Sequence, residues 1–183
     1  MSGSDGALIR ASREDPSLFQ EVFQRHYRSV HGFVARRYGP EVADEVAAET
    51  FLQAFAGRSS FDPSCEDARP WLLGIARNQA RSLTRRQAKE HRALSRLGSM
   101  TPGGPNQGGE AVSSWPSELS AVLSRLPEGE LDVLLLIAWE DLTYQKASET
   151  LGVPVGTVRS RLHRARSAIR DALQLSPDPA REE

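Results

Sequence analysis

The chain has 183 residues, 39% of them hydrophobic and 26% charged, with a formal net charge of −1. That is the composition of a soluble globular protein with room for one ordinary domain or two small ones, and no apolar run is long enough to cross a bilayer. A single cysteine, Cys65, excludes an internal disulfide and argues against a zinc site, and the opening MSGSDGALIR lacks the basic start and apolar stretch of a signal peptide, so a cytoplasmic protein is expected.

From Asp15 to Tyr38, the residues Leu18, Phe19, Val22, Phe23, Tyr27, Val30, Phe33 and Val34 recur at the three-and-four spacing of one helical face. Asp15 can cap this helix and Pro16 suits its first turn. Gly39-Pro40 stops it and starts a second, with an expected buried stripe of Val42, Val46, Phe51, Leu52 and Phe55. Glu41, Glu45 and Glu49 fall at four-residue steps along it, with Asp44 beside them. Paired carboxylates can do acid/base chemistry or hold a metal, but the segment has no His, and a protein-docking surface or solubility explains the stripe better. GRSSFDPSC, residues 57–65, reads as a loop.

Pro70 opens a long third helix whose buried side is expected to hold Trp71, Leu72, Ile75, Ala76 and Leu83. Another side carries Arg77, Arg81, Arg85, Lys89, Arg92 and Arg96, and residues 69–96 hold eight basic side chains against one acid, Glu90. Such a stripe repels itself, so it calls for an anionic partner: a nucleic acid or an acidic protein surface.

Helical periodicity vanishes over 97–114, LGSMTPGGPNQGGEAVSS, which has the composition of a flexible tether and marks a domain boundary. Leu119, Val122, Leu123 and Leu126 follow, then Pro127 and an apolar run from Leu131 to Trp139. A turn at Gly152-Val153-Pro154 joins a short helix, Thr143–Leu151, to a longer one, Val155–Leu173, which fits a helix-turn-helix. At a hundred degrees per residue, Val158, Leu162, Ala165, Ile169 and Leu173 share one side of the longer helix. Gly156, Ser160, His163, Arg164 and Ser167 share the other, with Thr157 and Arg159 at its margins. Residues 155–170 hold five Arg and no acid, so phosphate neutralisation accounts for this outer face. Arg159, Ser160 and His163 are placed for base edges, and Thr157, Arg161 and Arg164 for phosphates.

No strand pattern appears, so the expected fold is all-α: two small helical domains, 15–96 and 115–175, joined by a flexible Gly/Pro-rich linker, the second containing a helix-turn-helix. No nucleophile–base pair is visible, the four His are scattered, and the glycine-rich linker follows no strand and lacks the Lys-Ser/Thr ending of a phosphate-cradling loop. No catalytic residue, metal or cofactor is assigned.

Three segments resemble one family, the extracytoplasmic-function group of sigma-70 family sigma factors. ADEVAAETFLQAF (43–55) is similar to the polymerase-binding helix of its first domain, RPWLLGIARNQA (69–80) to the start of its promoter-melting and −10 recognition segment, and LGVPVGTVRSRLHRARSAIRDAL (151–173) to its −35 recognition helix-turn-helix. The resemblance implies a non-catalytic transcription initiation subunit whose partners are core RNA polymerase and promoter DNA, with an anti-sigma factor as a further partner and no membrane insertion. It implies that Asp44, Glu45, Ala48, Glu49 and Phe51 lie on or under the polymerase-binding surface. The loop 58–69 would hold an extruded base of the −10 strand, with Asn78 and the basic ladder Arg77, Arg81, Arg85, Arg86 and Lys89 along the DNA. Thr157, Arg159, Ser160, Arg161, His163 and Arg164 would meet the −35 duplex. Three departures stand out: Ser82 where many members have an acid, Lys146 three residues after Thr143 where a Glu would complete a capping box, and Ala147 where a larger Ile is common.

Overall fold

A computed structural model describes residues 3–96 and 116–173; the tether expected at 97–114 lies outside the described residues. Eight α-helices and two short 3-10 turns are described, with no strand among the described residues.

The first helix, α1 (Asp5–Ala11), was not expected. With seven residues and a glycine at its second position it is too short to show a period, and its stability comes from its surroundings. Ser4 caps it by accepting the Ala7 N–H at 3.3 Å, and Ile9 is buried. Asp15 caps a 3-10 turn, Pro16–Leu18, accepting the Ser17 N–H at 3.0 Å, and α2 (Phe19–Tyr38) follows. Gly39, at φ 97, takes a backbone conformation that a side chain disfavours, and lets the chain fold back into α3 (Pro40–Ala56) with Pro40 in its first turn.

Helix α3 buries Ala43, Val46, Ala47, Thr50, Phe51 and Ala54, mostly small residues that admit α2 and α4 (Arg69–Arg96) close against it. Leu52, expected in the buried stripe, is 64% exposed: it shares the outer side of α3 with Glu45, Ala48 and Glu49. From α4, Leu72, Leu73, Ala76, Ala80 and Leu83 enter the core, whereas Trp71 and Ile75 are only half-buried.

The second domain comprises α5 (Ser117–Leu123), α6 (Glu128–Ala138), α7 (Tyr144–Leu151) and α8 (Val155–Ala172). Thr143 caps α7 by accepting the Lys146 N–H at 3.2 Å, so half of the capping box survives the substitution at 146. Gly152, left-handed at φ 63, ends α7, and the Val153 N–H returns to the Ser148 carbonyl at 3.2 Å. Val158, Leu162 and Ala165 carry α8 into the core beside fully buried Ala147. Each large apolar side chain buried this way contributes about 1.5–3 kcal/mol. Helix α6 is buried on several sides, from Leu131 to Leu136, because α8 covers one of them and α2 of the first domain approaches another. Helix α7 packs on α4, so the two domains share an interface.

Candidate nucleic-acid and polymerase interfaces

On α8 the outward face is as the helical spacing requires. Arg159, Ser160 and His163 are exposed, and the space beside Gly156 is open. The Arg159 guanidinium lies 5.9 Å from the centre of the Tyr144 ring, tying α8 to α7. Ser160 Oγ donates to the Thr157 carbonyl at 3.1 Å. Of the residues placed for phosphates, Arg164 is exposed. Thr157 and Arg161 are half-buried, Arg161 lies so close over Gly129 that a Cβ there would meet its guanidinium at 3.0 Å, and Arg164 Nε donates to Glu130 Oε1 at 2.7 Å.

The basic ladder on α4 divides in two. Asn78, Arg85, Arg86 and Lys89 are exposed, and so is Ser82. Arg77 and Arg81 instead turn toward α6. Asp132, fully buried, accepts from Arg77 Nε at 2.6 Å and from Arg37 Nε at 3.3 Å. Arg81 Nε lies 2.8 Å from Glu128 Oε1, close enough for an ion pair though not angled as a hydrogen bond. Arg77 is not open to DNA in this arrangement, because a buried carboxylate is tolerated only when cations compensate it, whereas Arg81 is half-buried beside an exposed Glu128. Beside them the Tyr38 hydroxyl is buried without a hydrogen-bond partner; its burial and the Asp132 charge push it up to about 12.

Further contacts close the same interface. Glu140, also buried, accepts from Arg36 at 3.3 Å and from Ser29. Lys146 Nζ donates to Asp67 at 3.0 Å, and Thr150 Oγ1 to the Pro70 carbonyl at 3.1 Å. Between the loop after α3 and helix α7 lies a cleft of about 670 Å³, walled by Phe61, Trp71, Ile75 and Asn78 on one side and by Glu149 and Thr150 on the other. Trp71 packs against the core and is also a cleft wall, its ring 4.8 Å from that of Phe61.

On α3, Asp44, Glu45, Ala48 and Glu49 are exposed in a continuous strip, and Phe51 is buried beneath them with its ring 4.8 Å from that of Phe23. Asp44 meets His31 at 3.0 Å, and Glu45 lies 3.8 Å from Arg86. Leu52 extends the strip as an exposed apolar side chain. Its placement was legible in principle, since it stands three residues from Glu49 and four from Ala48.

The loop from Gly57 to Ala68 meets an acid that the sequence did not single out. Asp5, buried in α1, accepts from Arg25 at 2.9 Å, from the Ala68 N–H at 2.9 Å, and meets His26 Nε2 at 2.6 Å. Burial pushes its carboxyl up, but the His26 hydrogen bond, the Ala68 N–H, the His26 charge and Arg25 together hold it down at about 2. Asp5, His26 and Asp67 bring ligand atoms within 4.8 Å of one another. Those atoms are already spent on protein partners, with Asp67 taken by Lys146 and the Arg69 N–H, so the cluster reads as an ion-pair network.

Residues 22–90 match the family model "Sigma-70 region 2" and residues 117–169 match "Sigma-70, region 4". The ECF RNA polymerase sigma factor EcfG of Rhodopseudomonas palustris is 33% identical over 127 residues, 69% of this chain and 68% of that protein. The RNA polymerase sigma factor NccH of Alcaligenes xylosoxydans xylosoxydans is 30% identical over 182 residues, 94% of this chain and 96% of that protein. Among solved structures, the sigma factor RpoE in complex with the anti-sigma factor NepR from Bartonella quintana has a similar fold, with a TM-score of 0.68 at 20% identity over 87% of this chain and 98% of that one. CnrH in complex with the cytosolic domain of CnrY gives 0.67 at 24% identity over 94% and 99%.

Proposed function

This chain belongs to the extracytoplasmic-function group of sigma-70 family RNA polymerase sigma factors, which act in transcription initiation, and from that premise we propose how its surfaces divide the work. It is a non-catalytic cytoplasmic subunit; the chemistry of RNA synthesis belongs to the polymerase. The exposed strip Asp44, Glu45, Ala48 and Glu49, extended by Leu52 and supported from below by Phe51, docks on core polymerase. An apolar side chain amid carboxylates suits a protein partner, since charges steer the encounter and burial of Leu52 adds area.

The loop 58–69 and the exposed part of α4, with Asn78, Arg85, Arg86 and Lys89, take the −10 strand. Arg77 and Arg81 join them once the second domain moves off α4 and releases them from Asp132 and Glu128. In the −35 duplex, Arg159, Ser160 and His163 read base edges while Thr157, Arg161 and Arg164 anchor phosphates. A boundary near 97–114 lets the two domains separate. The observation that carries the reading is the outward face of α8, which is basic and hydrogen-bonding with no acid before Asp171.

An anti-sigma factor is proposed as a further partner, supported by the fold shared with RpoE and CnrH, each seen with a bound partner chain. The test is transcription from a promoter library by core polymerase with and without the purified chain. Promoter-selective transcripts that appear only with the chain are expected. Transcription that does not change with the chain would refute the proposal.

A further inference from the structure

The loop between α3 and α4 has few means of holding its own shape. From Gly57 to Ala68 it contains one 3-10 turn, Arg58–Ser60, and its internal hydrogen bonds run only from Ser60 to the Gly57 carbonyl and from Ser64 and Cys65 back to Asp62. Residues Asp62 to Glu66 are exposed. Such a segment would sample many conformations if left to itself.

The amino-terminal segment pins it at both ends and in the middle. At the far end, Asp5 Oδ2 accepts the Ala68 N–H at 2.9 Å and the Asp5 N–H donates to the Glu66 carbonyl at 3.1 Å, a reciprocal pair. At the near end, Arg13 donates to the Ser59 carbonyl at 3.0 Å and Arg58 Nε to the Ser12 carbonyl at 3.3 Å, a second reciprocal pair. In the middle, Gly6 approaches so closely that a Cβ there would stand 2.3 Å from the Pro63 carbonyl oxygen and 2.5 Å from that of Cys65. Both obstacles are backbone, so neither can rotate away. The Asp5 carboxylate is itself fixed by Arg25 and His26, one residue apart on α2.

We propose that α1 is the positioning element of the promoter-reading loop: Asp5 and Gly6 set the path of residues 61–68, and hence the discrimination of −10 sequence, without touching DNA. This rests on the assignment of that loop to the −10 strand. Asp5 and Gly6 are positioning residues that act through the backbone of Pro63, Cys65, Glu66 and Ala68. A side chain at position 6 displaces the loop from α1, and loss of the Asp5 charge loosens the α2 partners that hold the carboxylate against the Ala68 N–H.

The experiment uses holoenzyme assembled from core polymerase and the full chain carrying Gly6→Ala, Asp5→Asn, Ser64→Ala or Glu66→Ala. Open-complex formation is measured on the preferred promoter, on promoters with single −10 substitutions and on promoters with single −35 substitutions, alongside affinity for core polymerase. Gly6→Ala and Asp5→Asn should each lower discrimination among −10 variants by about tenfold, a typical value of one base contact. Discrimination among −35 variants and polymerase affinity should stay within about twofold, a split that general loss of folding would not produce. Ser64→Ala and Glu66→Ala, exposed loop side chains that α1 does not hold, test the underlying assignment. If they alter −10 discrimination while Gly6→Ala and Asp5→Asn do not, the positioning role is overturned and the assignment stands. If they too leave it unchanged, the assignment of the loop falls. Parallel loss of −10 discrimination, −35 discrimination and polymerase affinity in both α1 variants would reduce the helix to a fold element and overturn the proposal.

Discussion

Replacing Asp132 by Asn should release the second domain from the first without unfolding either. Asp132 is 0% exposed and holds two guanidiniums of the first domain, Arg77 at 2.6 Å and Arg37 at 3.3 Å. Asparagine keeps the shape and one acceptor but leaves both cations without that counter-charge in a buried interface. Removing one partner of a buried ionic group costs about 3–5 kcal/mol, mostly the penalty of the charge left behind. Here that penalty falls on the closed arrangement alone, because all three side chains are hydrated once the domains part. At 1.36 kcal/mol per decade, even the low end moves the closed–open balance by about a hundredfold. The assay is pulsed electron resonance between spin labels on cysteines introduced at exposed Glu41 and Arg166, in a Cys65→Ser background. Asp132→Asn should broaden the distance distribution toward longer values at unchanged helical circular dichroism, and should raise affinity for a single-stranded −10 fragment. An unchanged distribution would show that Asp132 does not hold the domains together, and a collapse of helicity would show that it stabilises α6 itself.

On α8, Arg159→Ala should cost about 1–3 kcal/mol at the preferred −35 sequence and relax discrimination at one base position, whereas Arg164→Ala should weaken binding to all sequences and lower the salt slope by about one unit. Promoter-variant titrations at several salt concentrations check both, and equal, sequence-independent losses would refute the division. Reversing the charges of Glu45 and Glu49 together should weaken binding to core polymerase, and Leu52→Ala should weaken it further, with thermal stability held within about 0.5 kcal/mol since all three side chains are exposed; unchanged polymerase affinity in titration would return the strip to a solubility role. Asp5 makes a pH-dependent contribution to stability. Its carboxyl is depressed to about 2 in the folded chain, so the stabilisation is complete above the ordinary carboxylate value near 3.8 and is lost as pH falls through about 2. It amounts to about 2 kcal/mol. Urea unfolding of the native chain and of Asp5→Asn should therefore converge as pH drops from 4 toward 2, and a difference that is constant with pH would show that the carboxylate charge contributes nothing.

Most helices were legible because their apolar residues recur with the helical period and their ends carry recognisable chemistry: Gly39-Pro40 between α2 and α3, Thr143 ahead of α7, Gly152 after it. The exposed basic face of α8 was legible for the same reason, since period and charge agree along it. Helix α1 was not, because seven residues around Gly6 offer no period, and the value of that glycine lies in a contact with Pro63 and Cys65 some sixty positions away. Leu52 departs from the expected stripe because hydrophobicity alone does not fix burial, and α3 leaves that position in solvent. Trp71 packs against the core as its spacing predicts, but it is only half-buried, and its role as a cleft wall is not visible in one dimension.

The arginine ladder shows a different limit. Spacing put Arg77, Arg81 and Arg85 on related faces of one helix, and their mutual repulsion required an anion, either a nucleic acid or an acidic protein surface. Part of that anion is the chain's own second domain: Asp132 takes Arg77 and Glu128 lies beside Arg81, while Arg85 is exposed and Arg86, also exposed, lies 3.8 Å from both Glu45 and Glu90. A promoter strand that uses the whole ladder must then displace two carboxylates before it gains two phosphates. The apparent affinity for DNA is lowered by the fraction of molecules that are open. A partner that binds α3 and favours separated domains removes that reduction, because the cost of opening is met by polymerase contacts instead of DNA contacts. On the proposed assignment of α3 and α4, promoter affinity and polymerase affinity are coupled through Asp132, and by reciprocity the coupling has the same size in either order of binding. In a thermodynamic cycle with polymerase and −10 fragment, Asp132→Asn should shrink the coupling toward zero while raising both separate affinities. Coupling that persists undiminished in that variant would place the link between the two ligands elsewhere.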